Sequence, residues 1–211
     1  MFFNLPRSCH KYGGAGIVMK KTWKDKMWII TILYFSVGFF NIMFAWLGMI
    51  CFLVPLLMSI FGMDKAFCNT YCGRGQLYTI LGNGKRLSLN KNLPSFLRSK
   101  WFRYGFLLFF MTMFFNMLFA TWTVLTGSGG LNESIKLLWS FDVPWRWANR
   151  AGDKIPLWTV QFAYGFYSLM LTSLILGLIS MAVYRARSWC VYCPIGTATQ
   201  AICKMREGEK L

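Results

Sequence analysis

From Met27 to Met63 not one side chain carries a charge, and this run constrains the chain more than any other feature. An upright helix crosses the hydrocarbon core of a bilayer in about 20 residues, so the run is too long for one pass. Both flanks are basic. Residues 1–26 carry Arg7, Lys11, Lys20, Lys21, Lys24 and Lys26 against Asp25, and residues 64–103 carry Lys65, Arg74, Lys85, Arg86, Lys91, Arg98, Lys100 and Arg103 against Asp64. Basic segments stay on the cytoplasmic side, which puts both ends of the run there. It is therefore predicted to fold as a tight pair of short passes, turning within Asn41–Gly48, with Pro55 kinking the second.

Two further apolar runs follow. Tyr104 to about Leu125 reads as a third pass, with Arg98, Lys100 and Trp101 as its headgroup anchor and Asn116 bonding a neighbouring helix. Thr126-Gly127-Ser128-Gly129-Gly130 breaks it. Leu157 to about Tyr184 reads as the fourth pass, closed on the inside by Arg185 and Arg187. Between them, 126–156 is nearly neutral, as a translocated loop should be, and is rich in aromatics: Trp139, Phe141, Trp145 and Trp147. The loop is expected to lie along the outer interface, its alternative role being to line a quinone pocket.

The predicted fold is an all-α polytopic membrane protein, with four transmembrane helices in two hairpins, each hairpin followed by a cytoplasmic cysteine motif. Its parts are a basic tail (1–26), a membrane domain (27–184) with a cytoplasmic loop (64–103) and an outer loop (126–156), and a cytoplasmic motif and tail (185–211). The setting is a bacterial or archaeal plasma membrane. The net charge of +16 is spent on topology; no basic helix or RNA-binding signature accompanies it, so nucleic acid is not an expected partner. No A-x-A cleavage site follows the first apolar run, and Met19-Lys20-Lys21 is expected to be an alternative start. Cys9-His10 then falls in a tail without partner spacing. As His10 is the only histidine, bis-His haem within the membrane is excluded.

Chemistry is concentrated in two stretches. Phe67-Cys68-Asn69-Thr70-Tyr71-Cys72-Gly73-Arg74-Gly75 and Trp189-Cys190-Val191-Tyr192-Cys193-Pro194-Ile195-Gly196-Thr197 share a plan: an aromatic, a cysteine, a spacer ending in tyrosine, and a second cysteine. This repetition after each pair of passes suggests an internal duplication of parallel topology, in which helix packing gathers the two pairs. The inner side of a plasma membrane is reducing, so Cys68, Cys72, Cys190 and Cys193 are expected to hold metal rather than form structural disulfides. Spacing alone leaves zinc and iron–sulfur open. Gly73, Gly75 and Gly196 let the backbone curl and turn its N–H groups on sulfur, and Lys65, Arg74, Arg185 and Arg187 compensate an anionic thiolate site. Cys51 reads as a small packing residue; Cys203, ten residues past Cys193, reads as a spare thiol, its alternative role being to replace or supplement a ligand.

The Trp-Cys-x-x-Cys-Pro-x-Gly-Thr of 189–197 and the Phe-Cys-x3-Cys-x-Arg-Gly of 67–75 resemble the membrane 4Fe–4S-binding family. Its relatives include polytopic iron–sulfur proteins of the periplasmic nitrate-reductase and nitrous-oxide-reduction electron chains. The resemblance covers about residues 20–203, and Gly73 stands where the family usually has Pro. It implies that Cys68, Cys72, Cys190 and Cys193 bind iron–sulfur at the cytoplasmic face. Larger relatives add a soluble ferredoxin module, which this chain lacks, so one 4Fe–4S cluster shared by both pairs is expected. The implied role is electron transfer to or from a redox partner protein or membrane complex, as a subunit rather than a stand-alone enzyme. A quinone-linked thiol–disulfide oxidoreductase and a zinc-stabilised membrane scaffold are the alternatives.

Overall fold

The computed structural model describes residues 26–61, 68, 71–84, 87–89, 91–137, 141–144 and 155–207. Helix α1 (Met27–Phe40) ends at Asn41, whose side chain accepts from the Met43 N–H and starts a 3₁₀ turn over Ile42–Trp46. Helix α2 (Leu47–Ile60) continues from this turn and accommodates Pro55. After the first motif come the short α3 (Gly73–Thr79) and a π turn over Ile80–Gly84. Helix α4 (Ser95–Arg98) leads into α5 (Lys100–Leu125). A hairpin of β1 (Ser134–Leu137) and β2 (Phe141–Pro144) precedes α6 (Leu157–Val183), and α7 (Trp189–Tyr192) and α8 (Pro194–Glu207) close the described chain.

Among the described residues, three helical stretches are long and apolar enough to cross a membrane: Ile42–Ile60, Lys100–Leu125 and Leu157–Val183. Their outward faces carry large exposed apolar side chains, among them Leu47, Ile50, Leu57, Leu108, Phe115 and Ile179. Water would penalise such a surface and lipid does not. The first of the four expected passes is represented by α1. Its 14 residues reach about 21 Å, short of the ~30 Å core.

Helix α6 is the hub: its buried residues run from Val160 to Met181, and α5, β1 and the 3₁₀ turn all pack on it. Close approach depends on small residues meeting rings, the rule for helices in lipid. Gly38 sits against the Tyr167 ring, and Gly48 against Tyr34 and Phe166. Tyr167 donates to the Phe35 carbonyl (2.9 Å) and Trp46 to the Thr159 carbonyl (3.4 Å), tying α1 and the turn to the first half of α6. Met117 on α5 lies over Gly165.

The segment expected along the outer interface instead forms a β-hairpin whose first strand enters the bundle. Ile135 is buried, Asn132 N–H donates to Gln161 Oε1 (2.9 Å), and Ser168 Oγ donates to the Lys136 carbonyl. An extended strand has unpaired backbone groups every second residue, and here polar side chains of α6 satisfy them. Trp139, Trp145 and Trp147 lie outside the described residues.

Orientation is open to a direct check. With a cysteine introduced at Ser128 or at Leu89, at opposite ends of the bundle, an impermeant maleimide added to intact cells should label the Ser128 position only. Labelling at Leu89 alone would reverse the topology read from charge.

Candidate thiol site

Both motifs fold back into the bundle. Along α3 and the π turn the contacts move steadily down α6. Arg74 bonds Ser173 and Met170, Tyr78 donates to the Leu174 carbonyl (3.3 Å) and fills the space beside Gly177, and Gly82 meets Met181 and Ala186. Residue 170 is the midpoint of α6, so the Arg74 guanidinium reaches the middle of that helix, while Gly73 packs on Met27 and Thr31 at the start of α1 and α3 runs on toward the C-terminal end of α6. The second motif matches it. After α6 ends at Tyr184 the chain turns over Arg185–Ser188, and α7 climbs back so that Tyr192 meets the Ser180 hydroxyl. Helix α8 then descends. Ser59, at the end of α2, donates to the Thr199 carbonyl (2.9 Å), and Arg103 donates to Gln200 (2.5 Å).

The two returning helices begin alike. Gln76 N–H bonds the Cys72 carbonyl (3.1 Å), and Thr197 N–H bonds the Cys193 carbonyl (2.9 Å). Each helix therefore starts directly after the second cysteine of its motif. This is the local counterpart of the repeat in the sequence. Both returning helices pack on the bundle because Tyr78, Trp189 and Tyr192 are apolar enough to bury. Tyr78 is fully enclosed, and Trp189 packs edge-on against Phe106 and Tyr192.

The motifs meet at Gly75. A Cβ placed there would lie 3.8 Å from the sulfur of Cys72 and 3.8 Å from that of Cys190, so the two sulfurs from opposite halves of the sequence flank one glycine. Cys193 faces a small cavity together with Arg74, Met170, Ser173, Phe110 and Phe52. These last residues come from near the middles of all three spanning stretches. Cys68, Cys72 and Cys193 are half-buried and Cys190 is exposed. Cys72, Cys190 and Cys193 are not disulfide-bonded. Beside Cys72, the Arg74 guanidinium and the Gly75 N–H are the groups that favour a charged sulfur.

Among the described residues, no three His, Cys, Asp or Glu side chains stand close enough to grip a single ion. Ligand sulfurs on one zinc lie no more than about 4.6 Å apart, given Zn–S bonds of ~2.3 Å. The donor set, with one sulfur from each motif flanking a glycine whose N–H is aimed at sulfur, fits a cluster in kind.

Cys203 sits in α8 about 13 Å along the axis from Pro194. It is buried on the face that carries Thr199, toward α2. Cys51, read from sequence as packing, lies close enough to Arg74 and Cys72 for its charge to act on both. Its only signal in the sequence is its place at the centre of an apolar run. Cys9, His10, Lys65 and Phe67 lie outside the described residues.

A second cavity, of about 150 Å³, opens on the far side of Leu169 between α5, α6 and β1, with Asn116, Asn132, Lys136, Gln161 and Ser168 in its wall. Asn116, expected to bond a helix, lines this cavity. Leu169 borders both cavities. Comparison of the chain with protein-family models, with curated proteins and with solved structures finds no match.

Proposed function

We propose that this protein is a membrane-bound iron–sulfur electron-transfer subunit, with one 4Fe–4S cluster held by Cys68, Cys72, Cys190 and Cys193. The observation that carries this reading is the meeting of Cys72 and Cys190 across Gly75, packed against helices long and apolar enough to cross a membrane. The chain's own residues do the supporting work. Gly75 leaves room between the sulfurs, its N–H stabilises thiolate charge, and Phe52, Phe110 and Phe114 keep water from the cavity beside Cys193. When bound, the cluster would supply one-electron chemistry. The basic ends face the cytoplasm, and a redox partner protein or membrane complex exchanges electrons there. A quinone is the fitting small-molecule partner in the cavity beyond Leu169.

The test is anaerobic purification followed by iron, sulfide and zinc analysis and EPR. Stoichiometric iron and sulfide with a reducible signal is the expected result. Zinc without sulfide would replace the reading with the scaffold. Metal-free protein carrying a reversible disulfide between the motifs would replace it with the thiol–disulfide enzyme.

A further inference from the structure

Among the described residues, Arg74 reaches between the thiols of both motifs, with Arg187 also near Cys190, and its surroundings are unusual. It is the second residue of α3, two places after Cys72. One guanidinium nitrogen donates to Ser173 Oγ (2.5 Å) and another to Met170 Sδ (3.0 Å), both near the midpoint of α6. The only ion pair among the described residues is Lys136–Asp142, on the β-hairpin. No described carboxylate therefore balances Arg74. The ionisable groups near it are Cys51, Cys72, Cys193 and Tyr78.

An arginine stays protonated in a protein, so this position holds a fixed positive charge. A cation packed among apolar helices is costly unless an anion answers it. The groups in range are thiols, and four metal-bound thiolates supply that anion. Ser173 and the Met170 thioether are neutral acceptors. They fix the direction of the fork without cancelling its charge.

We propose that Arg74 is the internal counter-charge of the thiol centre and sets its reduction potential, with Ser173 and Met170 holding it in place. This rests on the iron–sulfur reading above. A 2+ cluster core with four thiolates carries a net charge of −2. Accepting one electron from an external donor, with no proton, takes it to −3. A fixed positive charge nearby stabilises the more negative state, so Arg74 raises the potential. Its role is electrostatic tuning and positioning; it takes no part in electron exchange itself.

The experiment uses the full chain, purified anaerobically, with potentiometric EPR titration of wild type, Arg74→Gln, Arg74→Lys, Ser173→Ala and, as a surface-charge control, Arg98→Gln. The expected order of potentials is wild type and Arg98→Gln highest, then Ser173→Ala and Arg74→Lys, then Arg74→Gln most negative. A second readout needs no cluster: metal-free protein is titrated with Co²⁺ and followed by its thiolate charge-transfer absorption. Arg74→Gln should bind Co²⁺ about tenfold or more weakly, in the range that outer partners of metal ligands command. Unchanged potential in Ser173→Ala and Arg74→Gln, or unchanged Co²⁺ affinity where Arg74→Gln fails to load iron, overturns the proposal. Wild-type protein without iron and sulfide would instead overturn the reading on which it rests, and the two failures are distinct.

Discussion

Serine in place of any one of Cys68, Cys72, Cys190 or Cys193 is expected to cut bound iron roughly tenfold or to convert the cluster, since four thiolates complete the usual coordination. Mutants of the first and second motif should look alike, because sulfurs from both halves flank Gly75. Cys51→Ser, Cys203→Ser and Cys9→Ser should retain iron. Cys51 is the informative control: it faces Arg74 from the middle of Ile42–Ile60, so retention separates nearness from ligation. The measurement is iron and sulfide per protein with EPR on each variant. Full iron in Cys68→Ser and Cys72→Ser, with loss in Cys190→Ser and Cys193→Ser, would break the shared site, and Cys203, expected from spacing as a possible further ligand, is disulfide-bonded and would not supply the missing thiolate.

The bundle was largely legible because its signals are local. The third and fourth expected passes, Tyr104 to Leu125 and Leu157 to Tyr184, correspond to helices Lys100–Leu125 and Leu157–Val183. Within Asn41–Gly48, where a turn was expected, the structure has the Asn41 cap and a 3₁₀ segment. The helices depended on charge-free runs bounded by Asn, Gly or Arg, which a linear reading detects. The packing of the first motif on α6 was not legible. Hydropathy assigns a segment containing Arg74 and Gln76 to water. It has no means of knowing that Ser173 and Met170, about a hundred residues later, offer the guanidinium two acceptors. The same blindness hid the strand in 126–156, where Gln161 and Ser168 satisfy backbone groups that an isolated loop would give to water. Polar residues inside α6 were the available clue, since four of them, Gln161, Ser168, Ser173 and Ser180, face partners that re-enter the bundle.

The duplication was read from motif order alone, and the fold gives it a geometric form in the two helices that begin at Cys72 and Cys193. Their one difference in sequence at the helix start is informative. Pro194 opens α8, and proline suits the first position of a helix because its missing N–H is unneeded there. Gly73 opens α3 at the matching place, where local rules would also favour proline.

Gly73→Pro should nonetheless be destabilising. A Cβ on residue 73 would lie 2.5 Å from the Met27 carbonyl oxygen and 2.3 Å from Thr31 Oγ1. The threonine hydroxyl can rotate away, whereas the carbonyl belongs to the first turn of α1 and moves only with the backbone. Forcing extra carbon into such a contact costs about 1–3 kcal/mol. That corresponds to a fall of roughly 5 °C in melting temperature for a chain of this size. Gly73→Ala should show most of the same loss, which separates the steric cause from any effect of the proline ring on the backbone. Because α3 carries Cys72 into the site, both variants should also load less iron, while Pro194→Gly in the second motif should lose far less. Thermal unfolding in detergent with iron analysis on the three variants measures both effects. A Gly73→Pro protein as stable as wild type would mean that α1 does not press on the start of α3, and that the first motif reaches α6 by another packing.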